Sequence, residues 1–241
     1  HGFGTVGSGV EISLGLRCGA NVYTMGESAR EGQIGCWLMN MMQAVSEKLK
    51  LVLASSSPRR RQLLAEAGFR FDVVDPPIDE PSDLGPAVAA VKRAEALAYF
   101  KARSVADRVP QALVLGADTI VAAAGPGQEV LGKPLDASDA ERMLRRLSGT
   151  RHMVITGVSL LGPGGYRRIA SDVTFVTMRK MTEDELRQYV QSGEWEGKAG
   201  AYAIQETADR FVVNVEGSFS NVIGLPMELV ARILAEAGAC T

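Results

Sequence analysis

At Leu51 to Ala54 a short apolar run gives way without transition to Ser55-Ser56-Ser57-Pro58-Arg59-Arg60-Arg61. Few folds accept that junction. The run has the length and aliphatic content of a buried strand, and Ser57-Pro58 supplies an N-cap and an N1 proline. The helix they open runs from Arg59 to Ala67 and is closed by Gly68 at C′. A strand that feeds directly into a helix is half of a βαβ unit, so the chain is expected to build an α/β sheet.

Further elements follow in the same manner. Phe69, Phe71 and Val73 alternate with polar residues as a strand, and a polar loop from Asp75 to Gly85 leads into a helix of about twenty residues. Val88, Val91, Leu97, Phe100 and Val105 are its expected apolar positions. Ala112 to Leu115 reads as one buried strand and Thr119 to Ala124 as a second, turning at Gly125-Pro126-Gly127. An amphipathic helix from Asp139 to Leu147 ends at Gly149. Arg151 to Leu161 and Tyr166 to Met178 then form two long strands joined at Gly162 to Gly165. Thr182 with Glu185 is a capping box for a helix to Gln191, and Pro226 starts a last helix to Ala237. The order predicts a single α/β domain over residues 50–239 with a mixed β-sheet flanked by helices.

Residues 1–42 are different in kind. Nine glycines recur there with no sustained period, so this N-terminal extension is expected to be poorly ordered and to take no part in the chemistry. Cys18, Cys36 and Cys240 lie far apart and form neither a zinc motif nor a disulfide framework. With no signal peptide at the start and no apolar run long enough to span a bilayer, a cytoplasmic protein without membrane partners is expected. Its 26 Lys plus Arg against 28 Asp plus Glu give a net charge of -2, which excludes a global attraction to nucleic acid. Any polyanion must be met by a local basic site.

The Ser55 to Arg61 loop is the first candidate for such a site. Three guanidinium groups in a first helical turn oppose the macrodipole unless an anion sits among them. A solvated basic turn is the alternative. Gly116-Ala117-Asp118-Thr119 puts a carboxylate directly after an apolar strand, at the end where open α/β sheets hold their ligands. Asp118 there either meets a cation or metal, or caps a turn. Asp79 and Glu80 in the loop after the second strand, Lys101 on the long helix and Lys133 after Leu131-Gly132 are further candidates for that crevice. Carboxylates with lysines and arginines suit hydrolysis of a phosphoanhydride, because oxygens hold Mg²⁺, a water is activated and cations meet the developing charge. In Lys198 to Gln205 small residues permit close backbone approach, and the Gln205 amide can both donate and accept at a base edge; a tight-packing strand is the other reading. His152 opens a strand and is expected to be structural.

Seven segments in order carry a family resemblance: SSSPRR at Ser55 to Arg60, GADT at Gly116 to Thr119, LGKP at Leu131 to Pro134, LSG at Leu147 to Gly149, SDVTF at Ser171 to Phe175, KAGAYAIQ at Lys198 to Gln205 and VIGLP at Val222 to Pro226. From about Lys50 to Ala237 the chain resembles the Maf proteins, nucleoside triphosphate pyrophosphatases of the septum-formation-inhibitor type. The resemblance implies a fold akin to the inosine triphosphate pyrophosphatases, often dimeric, and cleavage of a nucleoside triphosphate to the monophosphate and pyrophosphate with a divalent metal, Mg²⁺ or Mn²⁺. It implies Asp118 as catalytic and, with Glu80, metal-associated. Ser55, Ser57, Arg59, Arg60, Lys101 and Lys133 are implied at the phosphates, with Lys198 beside them. Arg59, Thr119 and Gln205 look like the dTTP/UTP subgroup; a 7-methyl-GTP pyrophosphatase and a nucleotide-binding regulator of division are the alternatives. Three departures stand out: Tyr99-Phe100 in place of the usual charged pair before Lys101, a longer turn at Gly125 to Gln128, and Glu206 after Gln205.

Overall fold

A computed structural model describes residues 17–18, 21–22, 49–77, 89–123, 129–205 and 207–238. The chain divides into His1–Glu47 and Lys48–Thr241. Taken by itself, the first unit has β1 (Arg17–Cys18) paired antiparallel with β2 (Asn21–Val22).

The second unit holds a seven-stranded mixed sheet. In chain order its elements are β3 (Leu51–Ala54), α1 (Pro58–Glu66), β4 (Phe71–Val74), α2 (Ala90–Ala106), β5 (Leu113–Ala122), β6 (Val130–Leu131), α3 (Ala137–Leu147), β7 (Arg151–Leu161), β8 (Arg167–Met178), α4 (Glu183–Ser192), β9 (Val212–Glu216), α5 (Phe219–Ile223) and α6 (Met227–Glu236). The strand order is β4-β3-β5-β7-β8-β9, with β6 added to β5. β4, β3 and β5 are parallel, while β5, β7, β8 and β9 are antiparallel to their neighbours in turn.

Helices cover both faces, and the period-2 alternation of β5 decides which side chains they meet. Leu113, Leu115 and Ala117 join Leu51 and Leu53 in a core closed by Leu64 of α1 and by Leu229, Val230, Ile233 and Leu234 of α6. Each of those α6 side chains contributes about 1.5–3 kcal/mol by leaving water. Val114 and its neighbours face α2 instead, with Val52, Ala54, Ala102 and Val105. A third core gathers α3 and α4 around Leu144, Leu147, Tyr189 and Phe211.

The face of α2 that meets the sheet carries a stripe of Ala90, Ala94, Ala98 and Ala102 at every fourth position; of the apolar positions that periodicity suggested, Leu97 and Val105 are buried beside them, Val91 is half-buried and Val88 lies outside the described residues. Phe100 is 45% exposed. The stripe exists because the helix backbone lies directly on two strand glycines. A Cβ at Gly116 would fall 2.5 Å from the Ala98 carbonyl oxygen, and one at Gly157 would fall 2.2 Å from that of Ala94.

Several boundaries differ from expectation. Leu113 to Ala122 forms not parts of two strands but the single β5, because β7 pairs with it continuously from Val114 to Ala122. Phe69 precedes β4, and α3 begins at Ala137, two residues earlier than expected, because the Asp136 carboxylate accepts the Asp139 N–H. The Thr182–Glu185 capping box and both long strands are present. The turn at Gly125 to Gln128 and Glu206 lie outside the described residues. Among the described residues no helix is long and apolar enough to cross a membrane.

A backbone clash at Gly157 cannot be relieved by turning a side chain, so α2 must lift. Gly157→Ala is expected to cost about 1–3 kcal/mol in chemical denaturation. A variant with unchanged stability would show that the helix does not need this contact.

Candidate active site

The site begins as a gap in the sheet. One edge of β5 pairs with β3 only as far as Gly116, opposite Ala54, and resumes with β6 at Val121, opposite Leu131. Between these ladders lie Ala117, Asp118, Thr119 and Ile120, and a cleft of about 930 Å³ opens there. Asp118 is therefore in mid-strand, not in a turn after a strand end. It nonetheless stands just past the C-terminal end of its parallel neighbour, because β3 stops and turns into α1.

Alternation divides the gap between two faces. Asp118, on the α2 face, is 5% exposed, and its Oδ1 accepts from Lys101 Nζ at 2.5 Å. Lys101 is itself buried, so neither charge is left uncompensated. Thr119, on the opposite face, receives a hydrogen bond from Arg60 Nη2 at 3.1 Å, and its hydroxyl lies 2.9 Å from that of Thr156. Arg60 also donates through Nε to the Gly224 carbonyl at 2.8 Å and through Nη1 to Ser55 Oγ at 3.3 Å. One guanidinium thus ties the β3–α1 loop to β5 and to the end of α5.

Behind this tie runs a buried polar line that the sequence did not suggest. The Thr156 hydroxyl donates to the Asn221 carbonyl at 3.3 Å, and Asn221 Nδ2 donates to Thr174 Oγ1 at 2.9 Å and to the Val154 carbonyl at 3.1 Å. Thr156 and Asn221 are both fully buried.

Ser57 is the N-cap residue of α1, but its side chain makes no capping bond; its own N–H donates to Ser55 Oγ at 3.2 Å. The first turn holds no acidic residue. The helix start therefore presents N–H groups with Ser55, Ser57, Arg59 and Arg60 to the cleft, which favours an anion. The opposite wall holds Lys133, Lys198 and Gln205. Lys198 Nζ donates to the Glu194 carbonyl. Arg93 also lines the cleft, from the same α2 face as Leu97 and Lys101. It went unnoticed in the sequence, although the i, i+4, i+8 spacing from Arg93 to Lys101 was available to find it.

Ten of the candidate residues thus line one cleft. Glu80, like Asp79, lies outside the described residues. Among the described residues no three His, Cys, Asp or Glu side chains are grouped to cage a metal. A single carboxylate beside a polyphosphate suits Mg²⁺, which keeps waters and takes phosphate oxygens as ligands, so Asp118 fits that mode of binding.

Lys198 to Gln205 is not a strand. Ala199–Ala201 is a 3-10 turn in which Gly200 and Ala201 both have positive φ, 69° and 63°. The next residue, Tyr202, reaches His152 of β7, with Nε2 and the hydroxyl 2.8 Å apart. His152 is 1% exposed, and burial holds its pKa down at about 4.

A mixed sheet broken at one strand edge, with a buried Lys–Asp pair on one face and a cation-rich helix start at its mouth, defines an α/β protein built to hold a polyanion. Residues 50–237 match the Maf-like protein family, and the chain belongs to it. It is 44% identical over 186 residues to the dTTP/UTP pyrophosphatase of Ruminiclostridium cellulolyticum, covering 76% of this chain and 94% of that protein. It is 48% identical over 194 residues to the dTTP/UTP pyrophosphatase of Myxococcus xanthus, covering 80% and 95%. Among solved structures, a HAM1 protein from Coxiella burnetii aligns over 78% of this chain and 99% of its own, with 16% identity and a TM-score of 0.42.

The His152 ring generates a pH dependence with a definite sign. Between the ordinary value of 6.5 and about 4 the unfolded chain binds a proton that the folded chain does not. Stability is then complete above pH 6.5 and falls by about 3 kcal/mol as the pH drops to 4. Denaturation of wild type and His152→Gln across that range should show the variant lacking this part of the acid slope; parallel slopes would mean the ring takes up its proton in the folded state.

Proposed function

We propose that the protein hydrolyses dTTP and UTP to the nucleoside monophosphate and pyrophosphate, removing these or modified pyrimidine nucleotides from the pool available for nucleic acid synthesis. The observation that carries the reading is the Lys101–Asp118 pair, buried at 2.5 Å on the floor of a cleft whose mouth is the arginine-bearing start of α1. A site that only bound triphosphate would need the cations and would gain nothing from a carboxylate placed among them. Relatives at 44% and 48% identity named dTTP/UTP pyrophosphatase support the same conclusion.

In this mechanism the triphosphate lies with its phosphates at the N–H groups of α1, against Arg59 and Lys133, and with its base toward Gln205. Asp118, with Glu80, would hold a divalent ion, Mg²⁺ or Mn²⁺, which supplies positive charge to the phosphate oxygens. Lys101 fixes one oxygen of Asp118, so the carboxylate keeps a single orientation and takes the proton of the attacking water. Attack at phosphorus breaks the bond between the α and β phosphates. The negative charge that gathers on the departing pyrophosphate is met by Arg59 and Lys133. Thr119 and Gln205 read the base, and Arg60 holds Thr119 in place. The enzyme works in the cytoplasm, where its nucleotides are, as a monomer or homodimer.

Pyrophosphate release with Mg²⁺ or Mn²⁺ tests the reading across dTTP, UTP, CTP, GTP, ATP and 7-methyl-GTP. Fast release confined to dTTP and UTP is expected. Release chiefly from 7-methyl-GTP would overturn the base assignment, and release from none would overturn the activity. Asp118→Asn keeps the shape and the Lys101 contact and should lower kcat by a factor of about 100 or more. Full turnover in that variant would move the proton to another group.

A further inference from the structure

The cleft wall that carries Lys133 and Gln205 is built from two separate stretches of chain, and one short turn joins them. Gly200 N–H donates to the Gly132 carbonyl at 2.9 Å, immediately before Lys133. Four residues beyond the turn lies Gln205, reached through the buried Tyr202, Ala203 and Ile204. The register of one stretch against the other therefore depends on the backbone at Gly200 and Ala201.

That backbone is strained. Ala201 is the only non-glycine residue with positive φ among the described residues, and it follows a glycine with the same conformation. Such a pair persists only where its surroundings determine it, and such pairs collect at functional sites. Gly200 is held from one side, because a Cβ there would fall 2.9 Å from a Val121 methyl carbon. On the other side the first residue after the turn is Tyr202. Its hydroxyl is buried on His152 Nε2 at 2.8 Å, with the two rings edge to face at 5.5 Å and 86°. His152 Nδ1 is buried with no hydrogen-bond partner. The ring thus takes its described hydrogen bond at Tyr202, and a buried ring nitrogen without a partner is a cost that packing alone would avoid.

We propose that His152 is a positioning residue for the nucleotide cleft: through the Tyr202 hydroxyl it holds the left-handed turn Gly200–Ala201, and the turn sets Lys133 and Gln205 at the spacing the substrate requires. The inference rests on the activity proposed above for its kinetic consequence, but not for its structural one. His152 touches no substrate; Tyr202 stands between.

The experiment compares Tyr202→Phe, His152→Phe, the double variant and the conservative His152→Gln, whose amide nitrogen can reach where Nε2 sits. Tyr202→Phe removes one oxygen and keeps the packing, so it remains informative even if His152→Phe fails to fold. Hydrogen exchange by mass spectrometry should show faster exchange in the Tyr202→Phe and His152→Phe variants, confined to the 199–205 segment, with His152→Gln close to wild type. Steady-state kinetics should show KM for dTTP raised about tenfold with kcat within about twofold, the double variant no worse than either single one, and His152→Gln restoring KM.

Unchanged exchange at 199–205 overturns the proposal whatever the protein hydrolyses. Faster exchange with unchanged KM overturns it too, since the pair would then be structural only, and so does a loss confined to kcat. Wild type inactive on every nucleotide is the failure of the activity reading instead, and exchange then decides alone whether His152 holds the turn.

Discussion

The close approach of α2 to the sheet is the contact on which the site depends. A helix normally packs on a sheet through a layer of side chains, which would fill the space between a helical lysine and a carboxylate in a strand. Here the layer is removed on both sides. Alanines face inward from the helix, and Gly116 and Gly157 face them from β5 and β7. Gly157 is the residue paired with Asp118 across the ladder, so the helix backbone descends beside the carboxylate that Lys101 must reach. Without Lys101 the buried Asp118 charge would be unpaired, at a cost of several kcal/mol. Packing and charge therefore specify each other: the small residues bring the lysine in, and the lysine lets the carboxylate stay buried.

Strand alternation gives the site its second property. Adjacent residues of β5 point to opposite faces, so Asp118 belongs with α2 while Thr119 belongs with Arg60, Thr156 and Gly224. In a continuous sheet these two groups would be separated by the sheet itself. The gap between the β3 and β6 ladders removes that separation at four residues and lets one cleft touch both. A fixed carboxylate–ammonium pair and a network of hydroxyls can then act on one ligand while being built on different layers.

How much of this the sequence disclosed follows from the range of the forces involved. Local signals were legible: the Ser57-Pro58 helix start, the Thr182–Glu185 box and the two long strands each depend on residues close in the chain. The continuous β5 was not, because Gly116 and Asp118 are residues of turns, and only the long-range pairing with β7 carries the strand through them. Phe100 was expected inside for a similar reason: hydrophobicity predicts burial, but where α2 lies on the strand glycines the positions in contact are alanines. The motifs located the cleft residues, yet nothing in them shows that the Arg60 side chain spends its donors on Ser55, Thr119 and Gly224. The fully buried Asn221 line was equally hidden, since its partners lie 47 to 67 positions away.

The same long-range logic separates rate from recognition on the proposed reading. Asp118 and Lys101 are fixed by helix-on-sheet packing, which is dense and tolerates little displacement. Gln205 and Lys133 are linked through the Gly200–Gly132 backbone hydrogen bond and a turn held in a costly conformation. Displacing a packed helix moves the group that accepts a proton, whereas relaxing a turn moves groups that grip phosphate and base. The first loss would fall on kcat and the second on KM. Selection acting on the turn could then retune which nucleotide is accepted without disturbing the pair that breaks the bond, and that pair would stay fixed by the glycines beneath α2.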